Sequence, residues 1–354
     1  MILPRLFQKL LLTPADVPPS RDDFEVVGAF NPGVVRAGDE VVMLVRVAER
    51  PREVRVGFTP LPRWDSDEGL TVDWTSDARL RPIDPRVVER VADGLVRLTF
   101  TSHLRVVRLG DGRSVRAVEP VRFLPEGPME EFGVEDPRIT EIDGRYYFTY
   151  VSVSRHGACT SLASTTDFRS FERHGVIFPS ENKDVVLFPE KIGGAFAAIH
   201  RPNPATPFNR PEMWTASSPD LRRWGGHACL HGGGGAWETG RVGAGAPPVR
   251  VPDGWLEIYH GNRRPTKLGE VGAYSTGALL LAADDPSRVL ARTTDSIMEP
   301  TADFERRGFV PDVVFATGIV ESEAGWLVYY GAADSSSAVV EFAREDLLGA
   351  LATV

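Results

Sequence analysis

The sequence contains few cysteines, little helical periodicity and no excess of positive charge. Cys159 and Cys229 are the only cysteines among 354 residues, and their spacing is not that of a metal site. A formal net charge of −9 argues against nucleic acid as a partner, because a phosphate backbone requires a basic surface. No apolar run approaches the roughly 20 residues of a membrane-spanning helix. We therefore expect no bound metal, no nucleic-acid partner and no membrane span.

The N-terminus carries Arg5 and Lys9 among apolar residues, without the apolar core and small-residue cleavage site of a secretory signal. We expect a cytoplasmic protein whose cysteines stay reduced, although a disulfide between the two remains an alternative.

Helical patterns are confined to two short segments, residues 86–93 and 344–351. The chain instead has 34 Gly and 28 Pro, which suit many strands and turns, and 42% apolar residues, which suffice for a core. No Pro/Ser-rich linker divides it. We expect one domain spanning residues 1–354, with an N-terminal arm of about residues 1–23 and short helical additions at the termini.

One pattern recurs five times: a polar leading edge, a strand, a Gly- or Asp-containing turn and a second apolar strand. The copies cover residues 31–46, 136–150, 188–201, 247–261 and 315–331. Each predicts a β-hairpin, and their spacing leaves room for four-stranded sheets. Outer strands repeat as well, since residues 159–172 are echoed by residues 213–224. The fold class predicted is all-β, a five-bladed β-propeller; a β-sandwich is the alternative.

In a propeller, the first strand of each blade faces the central axis, so the polar residues that lead each copy should meet in one funnel. A mixture of carboxylates, cations and aromatic residues suits a polyhydroxylated substrate, such as a sugar, together with an anion. The predicted funnel residues are Asn31, Arg46, Glu135, Asp136, Arg138, Glu190, Lys191, His200, Arg201, Tyr259, His260 and Asp334.

Seven motifs in succession resemble glycoside hydrolase family 130. They are VEDPR (134–138), ENKDVVLFPEK (181–191), HRP (200–202), GAGAPP (243–248), GWLEIYHG (254–261), DPSRVL (285–290) and YYGAAD (329–334). The resemblance extends from about residue 31 to residue 334. It implies a five-bladed propeller that acts on β-mannosides, in most members as an inverting phosphorylase that forms α-mannose 1-phosphate and in a minority as an inverting hydrolase.

The resemblance also implies roles for particular residues. Asp136 matches the general acid, whose proton is thought to reach the glycosidic oxygen through the mannose 3-hydroxyl. The phosphate-binding positions are matched by Arg155, Arg173, Lys191 and His200. Inorganic phosphate is then a co-substrate, and no other cofactor is required. For the mannoside we expect contacts from Asn31, Arg46, Arg138, Tyr259, His260 and Asp334.

Two features of the residues bear on this interpretation. Because adjacent strand residues point to opposite faces, we expect Glu135 to lie outside the pocket of Asp136, paired with an arginine. An inverting hydrolase would need a second carboxylate to activate water, and Glu190, Glu238 and Glu257 are the candidates.

A β-mannosidase and a non-catalytic glycan-binding propeller therefore remain alternatives. The linkage, the acceptor sugar and the oligomeric state, including a homo-oligomer, are left open.

Overall fold

A computed structural model describes residues 2–84, 86–204, 206, 208–265 and 271–353. In chain order the strands are β1 (Phe7–Leu12), β2 (Phe24–Ala37), β3 (Glu40–Pro51), β4 (Phe58–Asp65), β5 (Gly69–Ser76), β6 (Leu80–Asp84), β7 (Val87–Arg90), β8 (Val96–Leu98), β9 (Thr101–Leu109), β10 (Val115–Phe123), β11 (Gly133–Ile142), β12 (Arg145–Ser154), β13 (Gly157–Thr165), β14 (Glu172–Phe178), β15 (Asn182–Leu187), β16 (Phe196–Pro202), β17 (Met213–Ser218), β18 (Gly225–His231), β19 (Val242–Ala244), β20 (Val249–Val251), β21 (Gly254–Asn262), β22 (Tyr274–Leu281), β23 (Val289–Arg292), β24 (Val314–Glu321), β25 (Gly325–Ala332), β26 (Ser336–Ala343) and β27 (Ala352–Thr353). The helices are α1 (Asp303–Arg306) and α2 (Arg344–Gly349), with 3-10 turns at Pro14–Asp16, Asp77–Arg79 and Pro128–Glu130.

The strands form five antiparallel blades, which confirms the all-β propeller prediction. Blade 1 has the order β2-β3-β9-β10, blade 2 is β11 to β14, blade 3 is β15 to β18, blade 4 is built on β19-β21-β22-β23, and blade 5 is β24-β25-β26-β1. The first strands contact each other from blade to blade: β24 with β2, β2 with β11, β11 with β15, and β15 with β19. The leading ends of these strands therefore surround one central space.

The N-terminal arm takes part in a blade. Strand β1 pairs antiparallel with β26 and so becomes the outer strand of blade 5, next to strands from the end of the chain. Arg5 donates to Glu305 at 2.6 Å, which joins the arm to α1. The two ends of the chain thus meet in one sheet, so the ring of blades is closed by backbone hydrogen bonds.

The five largest hydrophobic clusters of the described residues fill the spaces between consecutive blades. Between blades 5 and 1, for example, Met43 and Val45 pack with Leu327 and Tyr329. A strand packed on both faces needs apolar residues at successive positions, which explains the run VVML in β3 and its complete burial. Within the described ranges, no helix has the length and apolarity needed to cross a membrane.

Two details of the secondary-structure prediction were wrong. Residues 86–93, predicted as a helix, form β7 and the turn after it, because Val87 and Val88 pair with β6 and β8 in a small sheet inserted between β3 and β9. The first strands of the third and fourth copies begin earlier than predicted, at Asn182 and Val242. The predicted helix at the C-terminus is confirmed as α2.

Candidate active site

Three blades carry the same irregularity near the start of the first strand. Asn31, Asp136 and Asp184 have left-handed backbones, with φ of 48°, 49° and 54°. Asn and Asp tolerate this conformation better than most side chains. At each of them the pairing with the second strand shifts, between Phe30 and Gly33, Glu135 and Arg138, and Lys183 and Val186. Such bulges redirect side chains, and here three polar residues from three blades line one central cavity.

Asp136 lies in this cavity and is held from blade 1. Its Oδ1 accepts hydrogen bonds from Asn31 Nδ2 at 2.8 Å and from Arg46 Nη1 at 2.9 Å. The other arm of the Arg46 guanidinium, Nη2, donates to Glu135 Oε1 at 2.6 Å. The expected pair between Glu135 and an arginine is therefore present. The expectation that Glu135 lies outside the cavity was wrong, because the bulge at Asp136 interrupts the alternation of side chains.

The charges around Asp136 hold it in the ionised form. Burial by itself raises the pKa of this carboxyl, but the positive charges of Arg46 and Arg138 and the hydrogen bond from Asn31 outweigh burial and lower the pKa below its usual value. Lys183 contributes in the same direction. Asp136 is therefore held as a carboxylate at neutral pH, and neutralisation of part of this positive charge would favour its protonation.

The opposite wall is formed by Asp334 of blade 5 and Arg86 of the inserted sheet. Arg86 Nη1 lies 3.2 Å from Asp334 Oδ2. Burial raises the pKa of Asp334, although Arg86 and Arg46 act against the rise. Asn31 Oδ1 is buried and has no hydrogen-bond partner in the described part of the chain. The wall therefore offers the carboxylate oxygens of Asp334, which suit the hydroxyl groups of a sugar.

A group of cations lies beside Asp136 in the same cavity: Lys183, Arg201 and Arg241. Arg201 Nε donates to Asp184 Oδ2 at 2.6 Å. Burial would raise the pKa of Asp184, but Arg201 and His260 hold it well below its usual value. Within the described residues, the side chains of Lys183 and Arg241 have no carboxylate partner. Two unpaired cations next to a third are suited to binding an anion.

None of the four residues predicted to bind phosphate lines this cavity. Arg155 makes two hydrogen bonds to Glu131, at 2.6 and 2.9 Å, and is largely exposed. Lys191 follows the far end of β15 and lies 4.6 Å from the centre of the Phe196 ring. Lys191 had been assigned to the leading end of the strand, whereas that end begins at Asn182.

The remaining two predicted phosphate ligands, Arg173 and His200, also make their contacts outside the cavity. Arg173 pairs with Glu126 and Glu130 and lies over the Phe123 ring, so its charge is already compensated. His200 is buried on the face of blade 3 opposite to Arg201, because adjacent strand residues alternate.

Of the six residues predicted to contact the sugar, Asn31, Arg46 and Asp334 line the cavity, and three do not. Arg138 is buried beneath the floor, where it donates to the backbone oxygens of Asp136 and Gly245 at 2.8 and 2.6 Å. His260 lies 3.2 Å from Asp184 Oδ2 and so supports the floor. Tyr259 points to the other side of β21 and donates to Glu238 at 2.9 Å.

The sequence analysis did not assign Lys183, Arg241 or Arg86 to the site. For Lys183 a signal existed: Lys183-Asp184 occupies the same place at its bulge as Glu135-Asp136. Arg201, which was in the predicted funnel, lies opposite Lys183 in the backbone pairing of β15 with β16. Arg86 directly precedes β7, and Arg241 directly precedes β19. Neither belongs to a predicted hairpin strand, so only the folded chain brings them to the cavity.

The residues proposed as bases for hydrolysis lie elsewhere. Glu238 and Glu257 are fully buried, bonded to Tyr259 and to the Gly245 backbone respectively, and Glu190 is exposed after β15. Every other carboxylate of the cavity is paired: Glu135 with Arg46, Asp184 with Arg201, and Asp334 with Arg86. In the described part of the chain, no cluster of His, Cys, Asp and Glu is arranged to hold a metal ion.

Comparisons with known proteins agree on one family of enzymes. The family model described as beta-1,4-mannooligosaccharide phosphorylase matches residues 95–352. A beta-1,2-mannobiose phosphorylase of Listeria innocua is 39% identical over 344 residues, which cover 96% of this chain and 95% of the relative. A 1,2-beta-oligomannan phosphorylase of a Thermoanaerobacter species is 37% identical, covering 70% of this chain and 81% of that protein. The solved structure of the Listeria innocua phosphorylase in complex with beta-1,2-mannobiose matches with a TM-score of 0.89 at 38% identity, covering 96% of each chain.

Proposed function

The chain belongs to glycoside hydrolase family 130, and we propose that within this family it is a phosphorylase of β-1,2-linked mannosides. In this reaction inorganic phosphate takes the non-reducing mannosyl unit of β-1,2-mannobiose or a short β-1,2-oligomannoside, which yields α-mannose 1-phosphate and releases mannose or the shortened oligomannoside. The observation that carries the proposal is the group of cations without carboxylate partners, Lys183 and Arg241, beside Arg201 and next to Asp136.

The linkage is argued from the extent of the similarity. The family model is described by the β-1,4 linkage but begins at residue 95. Asn31, Arg46 and Arg86, which line the cavity, precede that point. The relative that covers 96% of the chain, and therefore this part as well, is named for the β-1,2 linkage. This favours β-1,2 over β-1,4.

The geometry supports a single displacement. We assign the mannosyl ring to the space between Asn31, Asp136 and Asp334, and phosphate to Lys183, Arg201 and Arg241. A phosphate oxygen attacks the anomeric carbon as the bond to the leaving oxygen breaks on the opposite side of the ring, so the configuration inverts. The leaving oxygen takes a proton that originates on Asp136, as general acid. No carboxylate base is required, because phosphate is itself the nucleophile.

The lowered pKa of Asp136 fits an ordered role for phosphate. Lys183 is one of the charges that lower this pKa. A phosphate dianion bound at Lys183 offsets that charge and raises the pKa of Asp136, which favours the protonated acid when the nucleophile is in place. Water brings no such charge, which favours phosphorolysis over hydrolysis at this site.

The test is the release of α-mannose 1-phosphate from β-1,2-mannobiose with and without inorganic phosphate, with β-1,4-mannobiose as the comparison substrate. We expect phosphate-dependent product and faster turnover of the β-1,2 linkage. Free mannose at an equal rate without phosphate would contradict phosphorolysis, and faster turnover of β-1,4-mannobiose would contradict the linkage alone. We also propose a cytoplasmic location, with which two free thiols are consistent. A homo-oligomer is proposed as well.

A further inference from the structure

A second groove lies behind the active cavity, between the last strand of blade 2 and the face of blade 3. Its volume is about 530 Å³, within the range of ligand-binding sites. We call it the blade-3 groove and define it by Phe178, Asn182, His200, Trp214, Trp224 and His227. None of these residues lines the active cavity.

The wall of the blade-3 groove is a fixed stack of rings. Phe178 stacks on His200, with ring centres 4.6 Å apart and an angle of 22°, and on Trp224, at 5.4 Å and 30°. The indole nitrogen of Trp224 donates to the Leu221 carbonyl at 3.0 Å, which sets the orientation of the ring. Trp214 and Trp224 are both only partly buried. With its polar atom satisfied, Trp224 offers an apolar ring face to a ligand.

The floor of the groove carries an ordered set of neutral polar groups. Asn182 Nδ2 donates to His200 Nδ1 at 2.9 Å, and His200 Nε2 lies 3.1 Å from His227 Nδ1. Burial, and then His227, lower the pKa of His200 to about 4, so its ring is neutral at pH 7. Because His200 Nδ1 accepts, its proton is on Nε2, which donates to His227. Because His227 Nδ1 accepts this bond, its Nε2 is the donor that remains for a ligand.

The groove therefore pairs a donor with an acceptor and lacks strong charge. His227 is exposed and offers the Nε2 proton. Asn182 is buried, and its Oδ1 has no hydrogen-bond partner in the part of the chain that the structure describes. Among the described residues that line the groove there is no Lys or Arg, and the one carboxylate, Glu181, accepts from Asn203 at 2.8 Å. This composition is unsuited to an anion such as phosphate.

We propose that the blade-3 groove is a second carbohydrate-binding site that holds sugar rings of a neutral β-mannoside chain. Aromatic faces pack against the C–H face of a pyranose, while hydroxyl groups satisfy a donor and an acceptor at the edge. Asn182 and Lys183 are consecutive on β15, and one lines the groove while the other lines the active cavity. A chain bound here is thus kept within a strand's width of the phosphate site. The identity of the sugar rests on the proposed function.

Calorimetry on the Asp136→Asn protein with β-1,2-mannotetraose tests the proposal without turnover. We expect two sites per chain, and one site when Trp224→Ala is added. In the otherwise unaltered enzyme, Trp224→Ala should leave kcat/KM for β-1,2-mannobiose unchanged. It should lower kcat/KM for longer β-1,2-oligomannosides by roughly 2- to 10-fold, the value of one aromatic contact.

His227→Ala is a second variant, on an exposed residue whose loss does not threaten folding, and should act in the same direction. Phe7→Ala removes a partly buried aromatic ring from blade 5 and is the matched control, with no expected effect on either substrate. One site for mannotetraose, or two sites that neither Trp224→Ala nor His227→Ala affects, would overturn the second site. An enzyme that does not phosphorolyse mannobiose at all would instead overturn the proposed function.

Discussion

Asn31 Nδ2 donates to Asp136 Oδ1 at 2.8 Å, across the boundary between blades 1 and 2. Both residues occupy left-handed positions at equivalent bulges of their blades. The bond stabilises the charged form of Asp136, and it leaves the other atom of the amide, Oδ1, buried against the backbone of Gly331. One contact therefore ties blade 1 to the proposed acid and adds to the arginine charges that lower the pKa of Asp136.

Asp136→Asn should reduce phosphorolysis of β-1,2-mannobiose by at least about 100-fold, because an amide does not supply the proton that general acid catalysis requires. The side chain keeps its shape, so the affinity for the mannoside should remain within about threefold. Steady-state kinetics and calorimetry measure the two effects. A non-catalytic glycan-binding propeller would instead bind mannosides and show no phosphorolysis even before substitution.

Lys183→Ala and Arg241→Ala should each raise KM for phosphate by about tenfold or more, since each removes a charge-assisted contact to the anion. KM for the mannoside should change much less. Initial rates at varied phosphate and fixed mannobiose measure this difference.

Arg155→Ala and Lys191→Ala are the matched controls, because both remove a positive charge that lies outside the cavity. If these two raise KM for phosphate while Lys183→Ala does not, the assignment of the anion site is wrong.

Anion binding should be accompanied by proton uptake at Asp136. Lys183, one of the cations that lower the pKa of this group, belongs to the proposed anion site, so binding of an anion there raises the pKa, and the complex binds more protons than the free protein. The sign follows from linkage: affinity should increase as pH falls toward the pKa of Asp136 in the complex. Sulfate is a suitable probe, because it does not titrate in this range. Calorimetry in buffers of different ionisation enthalpy counts the protons.

The Asp136→Asn protein provides the comparison for this measurement. It should bind sulfate with less proton uptake than the wild type. Equal proton uptake in both proteins would show that another group is responsible.

Arg86→Ala should lower kcat/KM for mannobiose by about tenfold, because it leaves the buried Asp334 without its cation and raises the pKa of Asp334 further. KM for phosphate should not change. Arg81→Ala, which breaks an exposed pair with Glu89 on the same inserted sheet, is the control and should have no effect. Equal losses in the two variants would mean that Arg86 acts only through the stability of the insertion.

Glu305→Ala should lower the free energy of unfolding by about 3–5 kcal/mol. The Glu305 carboxylate is fully buried and accepts from Arg5, Gln8 and Tyr330, so it fastens the N-terminal arm to blade 5. Urea denaturation measures the change. Glu25→Ala breaks an exposed pair with Arg50 and should cost about 1 kcal/mol or less. Similar values for the two would contradict the fastening role.

The repeated hairpins allowed the fold class to be predicted, because each copy combines a turn signal with strands that are apolar at successive positions. The outer-strand region predicted at residues 213–224 contains β17, Met213–Ser218. Residues 86–93 were predicted wrongly, since a short segment with mixed periodicity is decided by the strands that it pairs with, here β6 and β8.

The sequence by itself determined the five-fold repeat, the family and the place of Asp136, because these depend on local patterns: turns, strand alternation and an acidic pair before proline. Only the tertiary structure decided which cations join Asp136. Charge type is visible in a sequence, but pairing is not: Arg155 and Arg173 are already compensated by glutamates, whereas Lys183 and Arg241 are not. The first strand of blade 3 was predicted to start at Phe188 but starts at Asn182, so the residues expected at its leading end lie beyond its other end. Only the pairing of β15 with β16 fixes that start.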